Sequence, residues 1–281
     1  MKLIGVDVGG SKIEAALVSD WKIVKKIKRK TEAAKGREAV LKNIISTIEK
    51  VFDASVFAIG IGIAGPVSPE KSIVVQSPHI PCLVNVPVKE ILEKTFKVKV
   101  ALDNDARMFA LGAHRIYRAK NMVALTLGTG IGGAAIVNNK LEKNPKNASE
   151  EIGHITIEKN GRQCACGARG CLEAYASGEA IELRYEQLGG KKASAKKIAD
   201  AARKGDKTAK KIIKEARDYL AKGLSIIAEK YNPEIIVVGG GVSNIGGIFL
   251  DSEVKLVKSR QNLVLLGAAL RAGSLVRTKS K

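Results

Sequence analysis

The chain has 281 residues and a mass of 29.9 kDa, long enough for two domains and, at 45% hydrophobic residues, for an ordered core. Its 48 Lys and Arg against 28 Asp and Glu leave a formal charge of +20, which suggests a polyanionic partner, although 4% aromatic residues is thin for a base-stacking surface. The longest apolar run, 57–67, is about half of a bilayer span, MKLIGVDVGG is no secretory signal, and four cysteines do not make a disulfide scaffold; a cytoplasmic protein is expected.

In chain order, residues 3–8 and 13–18 read as apolar strands joined by Gly9-Gly10-Ser11, and a Lys-rich alternating strand follows at 23–30. Residues 37–52 switch to helical spacing, with Val40, Leu41, Ile44, Ile45, Ile48 and Val51 on one face. A buried strand is expected at 56–63, a short helix from Pro87, and a strand at 98–102. Asp103 is the expected cap of the helix after it. From Met122 the opening recurs: an apolar run at 122–127, the turn Gly128-Thr129-Gly130, and a strand at 134–137. An offset of 119 lays Gly9 on Gly128 and Val18 on Val137, a weak internal repeat that suggests two copies of one unit around a cleft. A long helix at 206–231, a strand at 234–238 running into Gly239-Gly240-Gly241, and a last helix at 262–276 complete the chain.

Two glycine loops carry potential chemistry. Gly128-Thr-Gly130-Ile-Gly132-Gly133 satisfies the dinucleotide-binding pattern, but that pattern needs a helix after it and a strand follows here. What remains is a loop between strands whose N–H groups suit phosphate oxygens. Asp7-Val-Gly9-Gly10-Ser11-Lys12 offers the same with a carboxylate and an ammonium added. A plain hairpin turn accounts for either loop alone; both together, with Asp7 and Lys12, favour a nucleotide phosphate with Mg²⁺. Cys164, Cys166 and Cys171 fall within eight residues, and His154 lies ten upstream. In a reduced protein that Cys₃His set points to structural zinc, whose closed tetrahedral shell takes four such ligands. Cys82 is left over as a small buried residue. Carboxylates sit beside these features: Asp103 and Asp105 flank Asn104, Glu151 precedes His154, and Glu173 follows Cys171. Sugar hydroxyls need such acceptors, and an attacking hydroxyl needs a positioned base.

These residues resemble the ROK family of sugar kinases and repressors. The resemblance is strongest at Glu151-x-Gly-His154 followed by Cys164-x-Cys166-Gly-x-x-Gly-Cys171-Leu-Glu173. Asp7-x-Gly-Gly-Ser-Lys12 looks like the family's first phosphate motif, Leu127-Gly-Thr-Gly130 like its second, and 235–243 like its adenosine segment. The fold class it implies is α/β: an actin-like ATPase (ribonuclease H-like) two-domain fold with a structural zinc loop. The domains would be 1–116 with the C-terminal helix 263–281, and 117–262. The implied activity is ATP-dependent phosphorylation of a hexose, foremost glucose at its 6-hydroxyl. By position, Asp105 would be the catalytic base, and Asn104, Asp105, Glu151, His154 and Glu173 would bind the sugar. Asp7, Gly9, Gly10, Ser11, Lys12, Gly128, Thr129, Gly130, Gly239, Gly240 and Gly241 would bind ATP. His154, Cys164, Cys166 and Cys171 would hold Zn²⁺. Homodimers or tetramers are common in the family.

The chain departs from the family pattern at Glu150, where glycine is usual, at Arg107, and at His79, where an asparagine often stands. A broad hexokinase or an N-acetylmannosamine kinase therefore stays open beside glucokinase. The segment 243–263 looks shorter than in relatives, which bears on the adenine pocket. A repressor of this family would need a helix-turn-helix before Asp7, and a nucleic-acid binder would rest on charge alone; both stand as the alternatives of another class. The charge itself lies in three segments, 22–38, 189–222 and 253–281, which contribute +6, +8 and +6, while 101–187 carries eleven basic and ten acidic groups. Solvated faces account for such a distribution, and no nucleic acid is expected.

Overall fold

Two five-stranded sheets of one topology organise the chain. The computed structural model describes residues 1–68, 71–77, 79–142, 151–245, 257–258 and 262–277. The chain divides into one unit formed by 1–118 with 261–281 and a second formed by 119–260.

In the first unit, β1 (Lys2–Val8), β2 (Lys12–Ser19) and β3 (Lys22–Lys30) pair antiparallel, with Val8 opposite Ile13 across the glycine turn. After helix α1 (Arg37–Glu49), β4 (Val56–Ile63) adds parallel to β1. A small hairpin, β5 (Val67–Ser68) and β6 (Ile73–Val74), precedes α2 (Val88–Phe96). β7 (Lys99–Asn104) joins parallel to β4 and runs directly into α3 (Asp105–Tyr117). The sheet order is β3-β2-β1-β4-β7. Alternate residues of a strand face opposite ways. Ile4, Val6 and Val8, with Ile59, Ile61 and Ile63, pack against Val40, Ile44 and Ile48 of α1 and Leu92 of α2.

The second unit repeats this plan. β8 (Met122–Leu127), β9 (Ile131–Val137) and β10 (Lys140–Leu141) are antiparallel, with Leu127 opposite Ile131. The helices α4 (Glu173–Ala176), α5 (Gly178–Gln187), α6 (Ala195–Arg203) and α7 (Lys207–Tyr231) follow. β11 (Ile235–Gly239) and β12 (Val257–Lys258) then extend the sheet in parallel, giving the order β10-β9-β8-β11-β12. The core joins Val123, Leu125 and Val238 to Ile198 of α6 and Ile212, Ile213 and Leu220 of α7. β9 begins three residues earlier than the apolar run suggests. Gly132 and Gly133 pair with Thr126 and Leu125, and a β-carbon on Gly133 would stand 2.8 Å from the Leu125 side chain.

The last helix, α8 (Leu263–Arg277), returns to the first unit and covers the other face of its sheet, where Leu265, Ala269 and Ala272 meet Leu3, Ala16, Val18 and Ala58. Only small residues let it come this near. A β-carbon on Gly60 would lie 1.8 Å from the Ala268 carbonyl oxygen, and one on Gly267 would lie 1.8 Å from the Met108 oxygen of α3. Among the described residues no helix is long and apolar enough to cross a membrane. Because the obstacle at Gly60 is backbone, which cannot rotate away, Gly60→Val is expected to destabilise the fold by more than about 2 kcal/mol in urea unfolding. An unchanged midpoint would refute the close packing of α8.

Candidate active site

The first glycine loop is pinned from behind. The Gly9 N–H donates to the Lys12 carbonyl at 3.0 Å, closing the turn. Fully buried Thr31, just past β3, donates its hydroxyl to the Gly9 carbonyl at 2.6 Å and its N–H to Ser11 at 3.2 Å. Asn43 of α1 supports it in turn through the Thr31 carbonyl at 3.3 Å. Gly10 lies against His79: a β-carbon there would stand 2.7 Å from the His79 oxygen.

A row of charges crosses the sheet beneath this loop. Strand register aligns Glu14 of β2, Asp7 of β1, Gly62 of β4 and Asp103 of β7, and aligned residues share a face. Lys12 and Lys26 reach the buried Glu14 at 2.6 and 3.2 Å, and Lys26 also donates to Asn262, just ahead of α8, at 2.9 Å. Burial alone would raise the Glu14 carboxyl, yet the hydrogen bonds and charges of the two lysines hold it below its usual range. Among the described residues Asp7 has no such bond. Burial, then the negative charge of Asp105, push it up to about 7 against the pull of Lys12.

Asn104, rather than Asp103, caps α3. Its side-chain oxygen accepts from the N–H groups of Ala106 at 2.9 Å and Arg107 at 3.3 Å, and its amide donates to the Gly65 carbonyl at 3.1 Å. Asp103 is taken up in a buried ion pair with Arg107 Nε at 2.8 Å, so it cannot turn toward the helix end. The departure at Arg107 is thus explained by a partner one turn earlier. Asp105 becomes the first residue of the helix, half-buried, and accepts from the Ala106 N–H at 2.9 Å. Burial raises its carboxyl, with that hydrogen bond and the charge of His79 acting against the rise.

In the second unit, Gly128-Thr129-Gly130 joins β8 to β9 and is held by the start of α5. The N–H groups of Gly178 and Glu179 donate to the Gly128 and Thr129 carbonyls at 2.9 and 3.1 Å. Gly240, at φ +94°, sits where a β-carbon would be 2.3 Å from the Leu127 oxygen, which brings the 239–241 segment beside the loop. Glu151 precedes the short 3-10 turn Ile152–His154. Glu173 accepts from the Ile131 N–H at 2.7 Å with one oxygen, and the other lies 3.9 Å from His154 Nδ1. Glu150 and most of 243–263 fall outside the described residues.

The donor atoms of His154, Cys164, Cys166 and Cys171 all lie within 4.8 Å of one another. Cys166 and Cys171 sulfurs are 3.7 Å apart, and Cys164 Sγ is 3.5 Å from His154 Nδ1. Four ligands about a tetrahedral zinc at Zn–S distances of 2.3 Å have sulfurs roughly 3.8 Å apart, so the spacing and the donor set fit that ion. The loop that makes this cluster is a tight knuckle. The Gly167 N–H closes onto Cys164 at 3.0 Å, and the Ile157 N–H onto Gly170 at 2.8 Å. Arg162 anchors it to α7 through an ion pair with Glu215 and stacks 4.4 Å over Tyr175.

Sequence reasoning missed Thr31 and Glu14. A Glu amid the apolar residues of β2 was a usable sign of a buried charge; a threonine after a lysine run gave none.

The model for the ROK family matches residues 3–268. A glucokinase of Thermotoga maritima is 41% identical over 267 residues, covering 88% of this chain and 84% of its own. The crystal structure of a ROK hexokinase from Thermus thermophilus superposes with a TM-score of 0.84 at 28% identity, covering 99% of this chain and all of the other. A ROK family glucokinase from Streptomyces griseus, solved in complex with glucose and AMPPNP, gives 0.83 at 30% identity over 98% of this chain and all of its own. With its glycine loops, its Asp105 and its Cys₃His knuckle set in this shared framework, the chain belongs to the ROK family.

Proposed function

We propose that the protein is an ATP-dependent glucokinase, transferring the terminal phosphoryl group of ATP to the 6-hydroxyl of glucose. The observation that carries this reading is Asp105, a half-buried carboxylate at the head of α3, where β7 ends in the same sheet as β1 and its Asp7. Likeness to a glucokinase solved with glucose and AMPPNP supports the substrate pair.

Phosphoryl transfer asks mainly for positioning and charge neutralisation. In the first unit, Asp105 accepts the proton of the attacking hydroxyl. Burial makes it a better base than a surface carboxylate, and the helix start keeps it fixed. Asn104 has one amide hydrogen left after donating to the Gly65 carbonyl, which suits a sugar hydroxyl. Gly9, Gly10, Ser11 and Lys12 would hold the phosphates and Asp7 the Mg²⁺, which when bound would neutralise phosphate charge. In the second unit, Glu151, His154 and Glu173 serve the sugar hydroxyls, and Gly128, Thr129, Gly130, Gly239, Gly240 and Gly241 serve the nucleotide. His154, Cys164, Cys166 and Cys171 would hold Zn²⁺, which would tie together the segments carrying those carboxylates.

The direct test is ADP release across glucose, mannose, fructose, N-acetylmannosamine and N-acetylglucosamine; turnover of none would overturn the reading. Asp105→Asn should keep fold and metal while kcat drops roughly 10²–10⁴-fold, and near-normal turnover would remove Asp105 from its role. Metal analysis of active protein should return one zinc per chain, and active protein without zinc would sink the metal assignment. Asp7 gives a pH signature. Folded protein keeps the Asp7 proton up to about pH 7, whereas the unfolded chain loses it near pH 4, so the folded state binds more protons between. Ionisation therefore costs stability as pH rises through that window. Without nucleotide or Mg²⁺, Asp7→Asn should raise the melting temperature most at pH 8 and by clearly less at pH 5; equal differences at both would contradict the raised Asp7 carboxyl.

A further inference from the structure

Glu173 joins two features whose roles are otherwise separate. It stands two residues after Cys171, at the start of α4, and its carboxylate takes the N–H of Ile131, the first residue beyond the Gly128–Gly130 loop. Ile131 is held from its other side as well: a β-carbon on Gly153, the neighbour of His154, would stand 1.8 Å from the Ile131 oxygen. The remaining Glu173 oxygen faces His154 at 3.9 Å. α4 then leads through Ser177, the cap of α5, to the N–H groups of Gly178 and Glu179, which fix the Gly128 and Thr129 carbonyls. Three backbone positions in and next to the loop, 128, 129 and 131, thus hang on a segment that begins at a thiol of the cluster.

We propose that occupancy of the Cys₃His cluster sets the affinity of the Gly128–Gly130 loop for nucleotide phosphate, with Glu173 as the positioning residue that couples the two. This rests on the kinase reading and adds to it a link from metal to nucleotide, beyond the metal's part in arranging the sugar carboxylates. The physical reason is local. The two chain segments that clamp Ile131, at 153–154 and 171–173, are joined to each other through the metal ligands His154 and Cys171. Without a cation the backbone bonds from the Leu172 N–H to Ile155 at 3.0 Å and from the Ile157 N–H to Gly170 at 2.8 Å still join these segments, but the His154 and Cys171 side chains lose their common partner, and the clamp loosens.

The test is calorimetric titration of ADP into the full chain without sugar, metal-loaded and after chelation, with the fold checked by circular dichroism. Stripping should weaken ADP binding about tenfold, and zinc should restore it. In loaded protein, Glu173→Ala should lose a similar factor, with little further loss on stripping. Glu173→Gln, which keeps an acceptor for the Ile131 N–H, should stay near wild type for ADP. Folded, stripped protein that binds ADP as the loaded form does would overturn the coupling, as would a loaded Glu173→Ala variant with unchanged affinity. Should the stripped chain lose its fold, the Ala and Gln variants in loaded protein decide alone. No ADP binding by loaded wild type would instead sink the kinase reading itself.

Discussion

Backbone meeting backbone without an intervening side chain is the constraint on which the first unit depends. Gly60 and Gly267 let α8 lie against both the sheet and α3, and this contact fixes α3 in place. Asp105 is the first residue of that helix, so the position of the proposed base derives from glycines far from it in sequence. The second unit works the same way at its loop, where Gly153 and Gly178 admit the Ile131 and Gly128 carbonyls. In both units, functional groups are held in place by main-chain contacts, which leaves little rotamer freedom at the points where precision matters.

The regular elements were legible because their periodicities are plain: the strand at 56–63 and the apolar run at 122–127 have the observed bounds, and the long helix begins one residue later than its pattern. The Cys₃His cluster was equally legible, since three cysteines in eight residues are close by covalent necessity. What the residues hid was competition between neighbours. Asp103 and Asn104 both suit a helix cap, and the choice went to Asn104 because Arg107, one turn on, captures Asp103 as an ion pair. Thr31 was illegible for another reason. Its importance comes from a hydroxyl reaching a carbonyl 22 residues away, a relation that only the pairing of β2 with β3 creates.

The charge that first suggested a polyanion now has structural reasons. β3 is an edge strand, and its lysines are exposed on it. Such charges discourage a second chain from pairing with a bare strand edge. One of them, Lys26, also reaches across to β2 and, with Lys12, compensates the buried Glu14 beside Asp7. The basic residues of β3 thus serve both to protect an edge and to neutralise a buried carboxylate.

The path of α8 has a further consequence for synthesis. Residues 263–277 cover the sheet face formed by Leu3, Ala16, Val18 and Ala58, so the earliest strands made are the last to be covered. Residues 119–260 form a continuous unit able to close sooner. A growing chain therefore carries an uncovered apolar sheet face for most of its translation, and contacts spanning more than two hundred residues make its final docking slow. The step most exposed to aggregation is this late arrival of the C-terminal helix, and a chain truncated before it would be a natural client of chaperones.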